Sequence, residues 1–110
     1  MKREELLFIK DILESISNIE QFSKGITKKE FMNSKLKQSA IVRQIEIIGE
    51  AVKNISEKTR NSHPEIMWRN IAGARDVFIH GYFIVDLEKV WDIIHDNLAI
   101  LKLQIKNIKK

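Results

Sequence analysis

Apolar residues recur at three- and four-residue steps along almost the whole chain, and no stretch alternates apolar and polar positions as a strand would. The pattern predicts an all-α fold. Leu6, Ile9, Leu13, Ile16 and Ile19 share one face of a first helix, from about Lys2 to Phe22. Lys24-Gly25 ends it, because glycine takes the left-handed conformation of many helix ends without steric cost. Thr27-Lys28-Lys29-Glu30 matches a capping box and opens a short second helix, and Asn33 or Ser34 caps a third. The third helix is expected from about Ser34 to Glu57. Its seam, Ile41, Ile45, Ile48, Val52 and Ile55, is narrow enough for near-parallel packing against another helix.

From Ser56 to Pro64 the periodicity breaks, and Lys58, Thr59, Arg60, Asn61, Ser62 and His63 read as a polar loop before a proline suited to a first helical turn. A fourth helix is expected from about Glu65 to His80, with Met67, Ile71, Ala74 and Phe78 as its core stripe and Trp68 at the stripe's edge. Gly73 lies inside it. Glycine there costs about 1 kcal/mol relative to alanine, so Ala72-Gly73 predicts close approach of another backbone. Gly81 stops the helix. Asp86 is a good N-cap for the last one, whose seam Leu87, Trp91, Ile94, Leu98, Leu101, Ile105 and Ile108 is the longest in the chain. Val90, Ile93 and Ile100 widen its apolar surface. These elements predict a small up-down bundle of four to five helices, one domain over residues 1–110. Its apolar stock, Ile45 and Trp91 included, is large for one small bundle, which points to a homodimer.

Composition narrows the class. At 44% apolar and 31% charged residues the chain is a folded soluble protein, and no apolar run approaches the roughly 20 residues needed to cross a bilayer. The start, Met1-Lys2-Arg3-Glu4-Glu5, turns acidic before any apolar segment, unlike a signal peptide. The absence of cysteine excludes disulfides, thiolate metal sites and cysteine nucleophiles, and agrees with a cytoplasmic location. The net charge of +4 favours an acidic partner, nucleic acid or protein, with solubility as the plain alternative. Lys102, Lys106, Lys109 and Lys110 complement the dipole at a helix C-terminus more readily than they announce RNA contact.

The candidate chemistry lies in Arg75-Asp76-Val77-Phe78-Ile79-His80-Gly81-Tyr82. Residues 76 and 80 are one helical turn apart, so Asp76 can accept a hydrogen bond from one ring nitrogen of His80, fix its tautomer and raise its basicity. Arg75 and His80 are roughly 140° and 7.5 Å apart on an ideal helix. A phosphate sits between them only if both lean inward or a second subunit supplies one. An arginine and a histidine suffice for RNA cleavage without metal: the histidine moves the proton and the guanidinium stabilises charge on the phosphoryl oxygens. One histidine cannot easily act as base and acid at once, so a second copy across a dimer axis, or His63 folding over the motif, would help. Arg, His and Tyr also fall within eight residues by chance on many helices, and Tyr82 alone reads as an interface aromatic. His63 otherwise reads as a loop residue and His95 as surface or interface. The row Arg43, Glu46, Glu50 and Lys53 reads as a solvated face, with Arg43 and Glu46 kept as cleft candidates. No pair of histidines has zinc-ligand spacing, and no glycine-rich phosphate loop or serine nucleophile elbow is present, so neither metal nor cofactor is expected.

Arg75-x4-His80-x-Tyr82 resembles the R-x4-6-H-x-Y motif of HepT-like toxins, in the HEPN superfamily of helical ribonucleases. The resemblance extends to Trp68-Arg69-x-Ile71-Ala72-Gly73-x-Arg75-Asp76, to His80-Gly81-Tyr82-Phe83-x-Val85-Asp86, and to Arg43-x-x-Glu46-x-x-Gly49-Glu50-Ala51. It implies a homodimeric helical bundle with the cleft at the dimer interface. It implies a metal-independent endoribonuclease, the toxin of a toxin–antitoxin pair whose antitoxin is an MntA-like nucleotidyltransferase that transfers AMP to the motif tyrosine. Carried over by position, Arg75 and His80 are catalytic, Asp76 orients His80, and Tyr82 is the modification site. The competing readings are a non-catalytic HEPN-type module that holds a nucleotide, and a helical adaptor that binds a protein through its last helix.

Overall fold

In the computed structural model, residues 2–79 and 86–108 are described, and all their regular secondary structure is helical. Helix α1 (Arg3–Ser23) buries Ile9, Ile12, Ile16 and Ile19 on one face. Gly25 at φ 72° turns the chain. The Thr27 side chain accepts from the Glu30 N–H at 3.1 Å while the Glu30 carboxylate accepts from the Thr27 N–H at 3.3 Å. This capping box starts α2 (Lys28–Asn33), which buries Phe31. Ser34 caps α3 (Lys35–Lys53), accepting from the Lys37 N–H at 3.2 Å. Ile41, Ile45, Ile48 and Val52 of α3 enter the same core as the isoleucines of α1.

The expected polar loop after α3 contains a further helix, α4 (Glu57–Ser62), N-capped by Ser56. Its six residues have no apolar stripe, so periodicity gave no sign of it. A tertiary contact holds it. Glu5, only 7% exposed at the start of α1, accepts from the Ser56 N–H and from the Thr59 hydroxyl at 3.2 and 3.3 Å. The bonds from Ser56 hold the Glu5 carboxyl below its ordinary range against the opposing effect of burial, and Thr59 adds to the lowering. The contact also shows that α1 and α3 are antiparallel, since the start of one meets the end of the other.

Helix α5 (Trp68–Ile79) begins differently from expectation. Met67, assigned to the core stripe, is 61% exposed, and Trp68, assigned to the edge, is buried. Met67 stands in the turn before the helix, which starts at Trp68. Trp68 takes the buried place because its indole N–H finds acceptors there, the carbonyls of His63 at 3.0 Å and Arg60 at 3.2 Å. Ile71 is half-buried as expected, while the Ala74 and Phe78 side chains lie outside the described residues.

The last helical rod is α6 (Leu87–Asp92), a π-helical turn (Ile93–Asn97) and α7 (Leu98–Lys106). Asp86 caps it as expected, accepting from the Lys89 N–H at 3.1 Å. The uninterrupted α-helix that the seam predicted is broken by the π turn, where the Leu98 N–H reaches back to the Ile93 carbonyl. At this point Trp91 packs on Phe31 of α2, ring centroids 5.6 Å apart, and His95 lies over Trp91 at 4.0 Å, with its Nδ1 3.1 Å from the Trp91 carbonyl. Ion pairs Lys28–Glu88 (2.7 Å) and Lys102–Glu20 (3.0 Å) fasten the rod to α2 and α1. The long elements pack in the order α5 on α3, α3 on α1 and α1 on α7. Between α5 and the last rod a groove stays open.

Candidate functional site

Arg75 and Asp76 belong to the second half of α5, whose axis is set by packing along α3. His80, Gly81 and Tyr82 lie outside the described residues, and with them the expected Asp76–His80 and Arg75–His80 relationships. The structure does describe what fixes the start of that helix. Ile66 and Trp68 are buried, the Trp68 indole is bonded to the end of α4, and α4 is held by Glu5 of α1. Each residue of α5 adds about 1.5 Å of rise and 100° of turn, so anchoring Trp68 sets the register of Arg75.

His63 is at the wrong end to serve the motif. It follows α4, donates its backbone N–H to the Arg60 carbonyl at 3.1 Å, and places Nδ1 3.4 Å from a Glu65 carboxylate oxygen. The motif end of α5 at Ile79 is about 16 Å along the helix from Trp68. A second histidine supplied by His63 is therefore not what the fold provides. His95 is exposed on the last rod, stacked on Trp91.

Arg43 and Glu46 pair with each other across one turn of α3, Nη1 to Oε2 at 3.3 Å. Arg43 is mostly in solvent and Glu46 is half-buried. Glu46 is one turn before the buried Gly49, and Ile45 beside it lines the groove on the α5 side of α3. Lys53 is exposed, as a solvated position should be. Among the described residues no three histidine or carboxylate side chains gather as metal ligands, and no helix is long and apolar enough to cross a membrane.

The groove was not foreseen from the sequence. It encloses about 610 Å³ and takes residues from α3 (Ile45, Ile48), from the start of α5 and the turn before it (Met67, Asn70, Ile71, Gly73), and from the last rod (Lys89, Ile93, Asn97, Leu98, Ile100, Leu101, Gln104). The expected tight packing at Gly73 is absent: a Cβ built there meets no atom within 4 Å among the described residues. The one sequence signal near it was His95-Asp96-Asn97, a polar run inside the seam of the last helix, which coincides with the π turn.

Comparison with known proteins bears on the same elements. The family model for "Ribonuclease HepT-like" matches residues 12–108, which span α3, α5 and the motif. A Thermococcus cleftensis protein named a probable ribonuclease HepT is 40% identical over 110 residues, the full length of both chains. A Methanocaldococcus jannaschii protein named as a candidate RNase is 41% identical over 93 residues, 84% of this chain and 77% of that one. A longer protein of the same organism, whose name joins a gamma-glutamylcyclotransferase to a candidate RNase, is 39% identical over 98% of this chain and 49% of its own length. No solved structure matches. With the motif read from residues 75 to 82, a helical architecture around it and a family match over nearly the whole length, the chain belongs to the HepT-like ribonuclease family.

Proposed function

We propose that this chain is a metal-independent endoribonuclease, the toxin of a toxin–antitoxin pair acting in the cytoplasm. The observation that carries the reading is the family match over residues 12–108 together with Arg75-x4-His80-x-Tyr82 at the end of the helix anchored by Trp68. In the reaction the ribose 2′-oxygen bonds to the adjacent phosphorus and the bond to the 5′-oxygen breaks. A histidine takes the 2′ proton, and a histidinium returns one to the leaving oxygen. Arg75 stabilises the charge that grows on the non-bridging oxygens. Asp76 holds His80 in one tautomer.

Two proton transfers and one motif histidine per chain favour a homodimer whose paired motifs share a cleft. The apolar side chain that α7 leaves in solvent outside the groove, Leu103 (65% exposed), supports such an assembly. Arg43 and Glu46 flank the cleft from α3. Neutralisation is by an MntA-like nucleotidyltransferase that joins AMP to the Tyr82 oxygen. The added phosphate places negative charge and bulk where an RNA phosphate must enter.

The test is RNA cleavage by purified protein beside His80→Ala and Arg75→Ala, with intact mass of wild type and Tyr82→Phe after co-expression with the neighbouring transferase. Cleavage lost in both variants, and an AMP adduct absent from Tyr82→Phe, are the expected results. RNA binding that persists with no cleavage by wild type would instead mark a non-catalytic binding module.

A further inference from the structure

We propose that the open groove between α5 and the last rod is a subsite for one unpaired nucleotide of the RNA, next to the nucleotide that is cut. The proposal rests on the ribonuclease reading for its substrate, and four observations on the groove support it.

The first is size and wall chemistry. A volume of about 610 Å³ is within the usual range of roughly 300–1,000 Å³ for small-molecule pockets. Ile71, Leu98 and Leu101 offer flat aliphatic surface to the faces of a base. The second is the polar set. Asn70 and Asn97 line the groove and have no hydrogen-bond partner among the described residues, and Gln104 has its amide nitrogen on the Glu65 carbonyl at 3.0 Å. Amides donate and accept side by side, which is what the edge of an unpaired base presents. The third is charge. Lys89 is the one charged side chain lining the groove among the described residues, and it makes no ion pair among them. A cation beside apolar walls suits an anionic ligand with an apolar body, as a nucleotide is, and among the described residues no carboxylate lines the groove.

The fourth is Gly73. A glycine inside a helix costs about 1 kcal/mol relative to alanine. The described part of this chain makes no use of the space it leaves, since an added Cβ would touch nothing within 4 Å. The space belongs to the groove. Gly73 is about 200° round the helix from Arg75, but Ile71, in the same groove wall, is one turn before position 75 on the same face, about 6 Å along the axis, so a base held against Ile71 is a neighbour of the phosphate that Arg75 meets. Reading one unpaired base beside the cut would restrict cleavage to single-stranded RNA.

The experiment measures binding in a His80→Ala background, so that it does not depend on cleavage. A short unpaired RNA is titrated by fluorescence anisotropy against this protein and against the same protein carrying Gly73→Leu, which fills the groove, or Lys89→Ala, a change at an exposed position. Sedimentation velocity reports the oligomeric state of each. Both changes should weaken binding roughly 5- to 100-fold, the range for losing one base contact, with the oligomer unchanged. An abasic nucleotide next to the cleavage position should weaken binding to the parent and make no further difference in Gly73→Leu. Wild-type affinity in Gly73→Leu and Lys89→Ala, in a protein whose parent cleaves RNA, overturns the subsite and leaves the ribonuclease reading intact. A change of oligomeric state in Gly73→Leu also overturns it, and assigns the groove to a second copy of the chain. Groove-dependent binding by a protein whose parent never cleaves keeps the subsite and removes the nuclease.

Discussion

Replacing Glu5 should destabilise the protein far more than its place near the N-terminus suggests. Its carboxylate is buried and takes the Ser56 N–H and the Thr59 hydroxyl, joining the start of α1 to the cap of α4. A hydrogen bond to a charged group contributes about 1.5–3 kcal/mol, and a buried donor left without a partner costs about 1–3 kcal/mol. Glu5→Ala removes the acceptor from two donors, and the Ser56 N–H is also one that α4 cannot use internally. The expected loss is about 3–4 kcal/mol in urea unfolding followed by tryptophan fluorescence at fixed protein concentration. Glu5→Gln keeps an oxygen acceptor but no charge, and should lose about half as much.

The pH dependence gives an independent check. The folded-state pKa of Glu5 is lowered from the ordinary 4.5. Its contribution is therefore full above that value and is lost as pH falls through the lower folded pKa. Wild type should lose more stability than Glu5→Gln on acidification below about pH 4.5. Identical acid sensitivity of the two proteins, or a Glu5→Ala loss under about 0.5 kcal/mol, would refute the clamp.

Trp68→Phe keeps most of the buried ring but drops the indole N–H from the Arg60 and His63 carbonyls, and should lower stability by about 1–2 kcal/mol and reduce RNA cleavage through the register of α5. Gly25→Ala should cost about 1 kcal/mol in unfolding free energy, from backbone strain at φ 72° alone, since a Cβ there meets nothing within 4 Å. Arg43→Ala should change stability by less than about 0.5 kcal/mol, because its pair with Glu46 is largely in solvent, while cleavage should fall if Arg43 flanks the cleft; unchanged kinetics would remove it from the site. Cleavage should survive an excess of EDTA, and its abolition there would contradict a metal-independent Arg/His mechanism.

The parts of the fold legible in the sequence are those whose physics is local. The capping box at Thr27 and Glu30, the Ser34 and Asp86 caps and the left-handed Gly25 are each decided within four residues, and all occur as expected. The buried faces of α1 and α3 follow from spacing. What failed was decided at a distance. Helix α4 depends on a carboxylate 51 residues away from Ser56. Periodicity assigned Met67 to the core, but neighbouring carbonyls of α4 decided for Trp68. The π turn occurs where Trp91 meets Phe31, sixty residues earlier in the chain. Of the candidate site, the Arg–His–Tyr spacing is itself a sequence property, and the pairing of Arg43 with Glu46 was legible from their i,i+3 spacing. The groove was not, because its walls are drawn from three segments between Ile45 and Gln104.

These distant contacts converge on one helix, which gives them a functional meaning. A motif at the C-terminal end of α5 acts only if its arginine is presented at a fixed angle, and a slip of one residue would turn it by about 100° and move it about 1.5 Å. The chain fixes that angle from the other end. Glu5 holds α4, the end of α4 holds the Trp68 indole, and α3 supports the flank. The remaining flank, with Gly73 and Ile71, faces the groove. An RNA strand could use that side without disturbing any contact that sets the register. Rigid anchoring at the start of α5 and open space along it are thus complementary requirements of a small helical ribonuclease that must admit a long, charged substrate beside the helix that carries Arg75.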